Sequence, residues 1–170
     1  MKILGIIGGM SPESTATYYT EINRLVNQKK GGNISAPIVM VSVEFEEIVQ
    51  CQKQSEWQRA GEILAEAGKK LEMIGAEGIV LATNTMHKVA PQIEQAISIP
   101  FLHILDATAD AIKSRGLNKV ALLGTKFTMS DNFYRDGLIV RGITPIVPNE
   151  DTQNEIHRII FDELCVGKFL

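Results

Sequence analysis

Short apolar runs led by β-branched residues alternate along this chain with stretches of helical period. Lys2 to Ile7 reads as an opening strand and Gly8-Gly9-Met10-Ser11 as the turn after it. Ser11 with Pro12 marks a helix start, because serine satisfies free N–H groups and proline fits the first helical position. That helix runs to about Lys29 and closes at Gly31-Gly32. Ile38 to Val43 is a second strand, followed by a less regular acidic stretch from Glu44 to Gln54. Ser55-Glu56-Trp57-Gln58 has capping-box spacing. Ala60, Ile63, Leu64, Ala67, Leu71 and Ile74 then share one helical face, which Gly75 ends. Ile79-Val80-Leu81-Ala82 is a buried parallel strand that stops at three small polar residues, Thr83-Asn84-Thr85. A helix from about His87 to Ala96 and a fourth strand from Phe101 to Leu105 follow. The alternation is that of a parallel sheet covered by helices.

The grammar then repeats. A short helix from Ala107 to Ser114, with Asp106 as cap, leads to the strand Lys119 to Leu123 and the turn Gly124-Thr125. Thr128 with Asp131 three residues on caps the next helix, Ile143 to Val147 is a strand, and Thr152 with Glu155 forms another capping box. Ile156, Ile159, Ile160 and Leu164 line the face of that last helix. The expectation is an α/β fold of two pseudo-symmetric lobes, 1–105 and 106–170, each a parallel sheet flanked by helices and both facing one cleft. The second lobe is incomplete, because two strands are fewer than such a sheet needs. A polypeptide continuing past Leu170 would supply the remainder.

Composition narrows the function. The 170 residues can bury a sizeable core, and a 45% apolar, 22% charged make-up is that of an ordinary globular protein. A net charge of −3 offers no general attraction to nucleic acid or acidic membranes. No apolar run has bilayer-spanning length, and the N-terminal run is too short for a signal peptide. Cys51 and Cys165, with no CxxC spacing or nearby histidine, fit unpaired thiols in a reducing cytoplasm and not a structural zinc site.

In open α/β sheets ligands sit beyond the carboxyl ends of the strands. Three such ends carry small polar groups, Met10-Ser11, Thr83-Asn84-Thr85, and Thr125 with Thr128, each before a predicted helix. Free N–H groups and helix dipoles there suit a small anion, a carboxylate above all. The same residues also serve as plain helix caps. Neither nucleotide-loop pattern is present. His87, one turn beyond Thr83, either orients a substrate or caps the helix. His103 reads as a core histidine and His157 as a surface one. Glu44 and Gln52 flank the exit of the second strand, although Glu44, Glu46 and Glu47 also read as a solvated face.

Gly8-Gly9-Met10-Ser11-x-Glu13-Ser14-Thr15 with Tyr18-Tyr19, then Thr83-Asn84-Thr85-Met86-His87, then Gly124-Thr125-x-x-Thr128-Met129, together resemble the aspartate/glutamate racemase family. The resemblance covers essentially the whole chain. It implies two α/β lobes with the site between them, a homodimer, a small amino-acid substrate and no pyridoxal phosphate or other cofactor. It also implies two thiols, one removing the α-proton as thiolate and the other protonating the opposite face. Thr83 stands where the first of these cysteines falls. Asn84 and Thr85 match the residues that hold the substrate's amino and carboxylate groups. Met10 and Ser11 match the first turn, and Thr125 the second lobe's carboxylate-binding turn. Gln52 is a looser match for selecting the side-chain carboxylate.

Two departures stand out. A thiol with a pKa of about 8.5 supplies some thiolate at neutral pH, whereas a threonine hydroxyl needs an adjacent base. The two proton transfers should then be unequal, favouring one enantiomer as substrate. Racemases with threonine at this position resemble a subgroup of the family. The second family cysteine, in a Gly-Cys-Thr-Glu stretch, has no counterpart before Leu170, and a chain ending there is expected to be inactive. The leading expectation is thus a cofactor-independent racemase of aspartate or glutamate. A non-catalytic amino-acid-binding protein on the same scaffold is the alternative, and a hydantoin racemase or maleate isomerase a third.

Overall fold

The opening apolar run forms strand β1 (Leu4–Gly8), which is paired along both edges. A computed structural model of the chain describes residues 1–168, which divide between Leu102 and His103 into two units. In the first unit β1 is followed by helix α1 (Pro12–Lys30), β2 (Ile38–Ser42), α2 (Phe45–Lys53), α3 (Trp57–Met73), β3 (Ile79–Leu81), a 3₁₀ turn (Thr85–Val89), α4 (Ala90–Ala96) and β4 (Phe101–Leu102). All four strands are parallel, in the order β2-β1-β3-β4, with Gly8 opposite Ser42 and Ile7 opposite Leu81. Helices flank this sheet, and the fold is α/β.

The apolar periodicity locates the core. Ala60, Leu64, Ala67 and Leu71 of α3 are buried with Ile7, Ile79, Leu81 and Ile93. Ile74, which the period places on the same face, is exposed because the helix ends one residue earlier. Three local readings are corrected. The acidic stretch after β2 is helix α2, capped by Glu44, whose two carboxylate oxygens accept from the N–H groups of Glu46 (3.0 Å) and Glu47 (2.6 Å). Helix α3 begins without a capping box, since Glu56 occupies the cap position and Ser55 sits at φ 58°. The helix expected from His87 divides into the 3₁₀ turn and α4, and Pro91, which has no N–H to donate, lies at the start of α4.

The second unit holds α5 (Ile104–Lys113), β5 (Lys119–Ala121), α6 (Lys126–Ser130), α7 (Asn132–Val140), β6 (Thr144–Ile146), α8 (Glu150–Asp162) and a closing 3₁₀ turn (Leu164–Val166). Strands β5 and β6 pair in parallel, and Leu105, Ala109, Leu122, Tyr134, Leu138 and Ile143 form the core. Here the caps differ most from expectation. His103 is no strand residue: its Nδ1 accepts from the Leu105 N–H at 3.1 Å and starts α5 three residues before the predicted point. Asp106 is paired instead with Arg141 at 2.7 Å. Thr125 caps α6, Asp131 caps α7 and Asn149 caps α8. In each case the true cap lies two or three residues ahead of the N–H it receives, as the capping geometry demands. No residue of α8 is fully buried, and Ile156, Ile159 and Ile160 remain half-buried.

His157, expected at the surface, is half-buried. Its Nδ1 accepts from the Lys126 N–H at 3.1 Å, fastening α8 to the start of α6, and its ring packs on Phe127 and Phe161. Burial, reinforced by the Lys126 ammonium and opposed by Asp162, holds the imidazole below its ordinary pKa of 6.5. A base depressed in this way binds fewer protons folded than unfolded. Its contribution to stability is complete above the unfolded value and is lost as pH falls through the folded one. The urea midpoint of the second unit, followed through the NMR signals of Tyr134 and Leu138, should fall between about pH 7.5 and about pH 5.5. It should fall less in His157→Gln, whose amide oxygen keeps an acceptor that does not titrate.

Candidate active site

Because the strands are parallel, the turns leaving β1 and β3 lie at the same edge of the first unit's sheet. The strand order reverses at β1, with β2 on one side and β3 on the other, and a ligand crevice opens at such a switch point. The turn after β1 is tightly made. Gly9 has φ +94°, and a Cβ there would lie 2.7 Å from the Ser42 hydroxyl and against the Val43 carbonyl. The buried Thr15 accepts from the Gly9 N–H at 2.8 Å and donates to the Ser11 carbonyl at 2.9 Å, while its side chain fills the space a Cβ on Gly8 would need. Ser11 caps α1 through its bond from the Ser14 N–H. The Met10–Ser11 peptide is cis. Met10 and Ser11 are both buried, and among the described residues no protein acceptor takes the N–H of either.

The turn after β3 is held at three points. The Thr83 N–H donates to the Leu81 carbonyl (2.9 Å), the Ser14 hydroxyl donates to the Ala82 carbonyl (3.2 Å), and His87 Nδ1 lies 2.7 Å from the Thr83 carbonyl. A carbonyl only accepts, so Nδ1 carries the proton and His87 braces the Thr83 backbone. The ring is buried beside Phe101, 5.7 Å between centres. Thr83 is half-buried, Asn84 exposed and Thr85 buried. Among the described residues no imidazole or carboxylate is hydrogen-bonded to the Thr83 hydroxyl. Gln52 is buried in α2 with its amide nitrogen 3.0 Å from the Met86 sulfur, beside the same 3₁₀ turn.

The first unit therefore brings Met10 and Ser11 close to Thr83, Asn84, Thr85 and His87, with Gln52 alongside. Thr125 belongs to the second unit, where its hydroxyl accepts from the Thr128 N–H at 3.3 Å and so caps α6. The electrostatics are less even than three equivalent helix ends would give. Only α1, with 19 residues, has a substantial dipole; the segment after Thr83 is a five-residue 3₁₀ turn and α6 has five residues. Glu44 is committed to capping α2 and makes no cleft carboxylate. Burial raises the pKa of the Cys51 thiol, the opposite of what an acid–base thiol at neutral pH needs. Among the described residues no group of three or more His, Cys, Asp or Glu side chains could hold a metal ion, and no helix is long and apolar enough to cross a membrane. Ser14 and Thr15 were missed as site residues. Their signal was two hydroxyls in the first turn of a helix that leaves a glycine turn.

The fold and this arrangement of turns define a class. The chain belongs to the Asp/Glu/hydantoin racemase family, whose model matches residues 7–168. It is similar in structure to a candidate Asp/Glu racemase from Yersinia pestis, with TM-score 0.91 and 50% identity, covering 100% of this chain and 74% of that one. An aspartate racemase homologue from Pyrococcus horikoshii OT3 gives TM-score 0.83 at 39% identity, covering 99% and 74%. In sequence the chain is similar to the broad specificity amino-acid racemase RacX of Bacillus subtilis (strain 168), 25% identical over 160 residues, 93% of this chain and 69% of that protein.

The turn itself can be tested. Gly9→Ala adds a Cβ at positive φ against the Val43 carbonyl, and should destabilise the protein by about 2–5 kcal/mol in urea unfolding.

Proposed function

We propose that this protein is a cofactor-independent racemase of acidic amino acids, aspartate or glutamate, with Thr83 on one face of the substrate's α-carbon. The observation that carries this reading is the pairing of two turns at one sheet edge. One turn has two buried residues, Met10 and Ser11, whose backbone N–H groups have no protein acceptor among the described residues, and the other has a hydroxyl bonded to no imidazole or carboxylate among them. Met10 and Ser11 then receive the α-carboxylate at the start of α1, where the helix dipole favours an anion. Asn84 and Thr85 take the ammonium and the remaining carboxylate oxygen. Gln52 contacts the substrate's side chain. His87 acts on Thr83 through its carbonyl.

Racemisation breaks the α-C–H bond, leaves its electron pair delocalised into the carboxylate, and forms a new C–H bond on the opposite face. The N–H groups at the carboxylate oppose the charge that accumulates there, where such stabilisation is worth most. A neutral Thr83 hydroxyl has a proton to deliver but, without a base beside it, little capacity to remove one. The opposite face needs a stronger base. The family's second thiol fits that role and has no counterpart among residues 1–170. The steps are therefore unequal, and the enantiomer whose α-hydrogen faces away from Thr83 is the better substrate.

The weak acidity of the Thr83 hydroxyl, bonded to no imidazole or carboxylate among the described residues, supports a second reading, an amino-acid-binding protein on a racemase scaffold. Incubation with L-aspartate or L-glutamate in D2O, followed by proton NMR and optical rotation, separates the two. Loss of the α-proton signal together with optical rotation is the expected result. Exchange with retained configuration would reveal a one-sided base, and binding without exchange would favour the second reading. Thr83→Cys should raise exchange from the Thr83 face at least about tenfold, because a thiol ionises near neutrality, and Thr83→Val should abolish racemisation.

A further inference from the structure

We infer that Ser14 and Thr15 are positioning residues, a hydroxyl clamp on the first turn of α1 that fixes Thr83 relative to the Met10 and Ser11 N–H groups. This rests on the racemase reading above. The two residues are consecutive, yet they hold different turns. Ser14 Oγ donates to the Ala82 carbonyl at 3.2 Å, and that carbonyl belongs to the peptide whose nitrogen is Thr83's. The same peptide is held from its other side by the Thr83 N–H bond to Leu81 at 2.9 Å. Thr15 Oγ1 spans the other turn, accepting from Gly9 at 2.8 Å and donating to Ser11 at 2.9 Å. It thereby closes a ring around Met10 and leaves the Met10 and Ser11 N–H groups for a ligand. The Thr15 side chain is buried against Gly8, so the helix cannot shift without moving the turn.

The two hydroxyls should separate in kinetics. Thr83 acts only on the reacting carbon, so its placement affects turnover, whereas the carboxylate grip acts in the bound substrate and the transition state alike. Ser14→Ala should lower kcat at least about tenfold with KM changed less than about twofold, since a displacement of about 1 Å costs up to about a hundredfold in rate. Thr15→Val, which keeps the shape and removes both hydrogen bonds, should raise KM at least about tenfold with a smaller effect on kcat. Ser14→Thr and Thr15→Ser retain the hydroxyls and should recover to within about threefold of wild type. Thr17→Val, which removes a hydroxyl-to-carbonyl bond from the exposed side of the same helix, serves as control and should leave both constants unchanged.

The experiment measures kcat and KM for L-aspartate together with amide hydrogen exchange at Gly9 and Thr83. The clamp is overturned if Ser14→Ala and Thr15→Val leave both constants within about twofold, or change kcat and KM in the same proportion. If wild type removes no α-proton, the racemase reading fails on that ground, and the clamp is judged by exchange alone. Faster exchange at Gly9 in Thr15→Val and at Thr83 in Ser14→Ala upholds it, and unchanged rates overturn it.

Discussion

Strand β1 bonds to a neighbour along each of its edges, and most of the first unit follows from that. Its peptide groups are satisfied by β2 on one side and β3 on the other, and Gly5 to Gly9 are buried without a break. A chain leaving such a strand has no lateral room, so it must turn at once. Gly8 and Gly9 permit this, the first by leaving space for Thr15 and the second by adopting a positive φ beneath β2. The turn then delivers Ser11 and Pro12 to the start of a 19-residue helix. The place where a ligand can approach is fixed by sheet pairing before any polar residue is chosen.

Hydrogen bonding then decides what the polar residues at that edge can do. The Thr83 backbone is held by Ser14, Leu81 and His87, which leaves the side chain well placed but chemically weak. His87, one turn along, donates its Nδ1 proton to the Thr83 carbonyl and packs its ring on Phe101, so that it orients the turn. Burial favours the neutral thiol of Cys51. In the proposed reaction the weak acidity of a threonine hydroxyl makes the two proton transfers unequal.

The parallel strands, the amphipathic face of α3 and the start of α1 were legible because each rests on a repeated pattern or on a Ser-Pro pair whose capping chemistry is local. Caps inside the second unit were not. Thr128, Asp131, Thr152 and Asn149 all carry capping side chains, and period alone does not choose among them. The choice falls to whichever residue has extended backbone and an N–H two or three positions ahead. His103 and His157 were misplaced for a related reason: each accepts from a backbone N–H, and that role leaves no mark in local sequence. Of the site, the polar strand ends were readable and the hydroxyls of Ser14 and Thr15 were not, because their partners are distant or backbone atoms. The acidic run after β2 is indeed exposed at Glu44 and Glu46, and its helix was hidden because the capping residue is itself a glutamate.

The Lys88 ammonium lies 4.2 Å from the centre of the Trp57 indole, and Trp57 is the chain's one tryptophan. Lys88 follows His87 within the 3₁₀ turn whose first residue is Thr85. A cation held over an aromatic face perturbs its excited state, so the molecule carries an optical gauge wired to the segment that braces Thr83. Any rearrangement of that segment registers as a change in intrinsic emission, with no label attached.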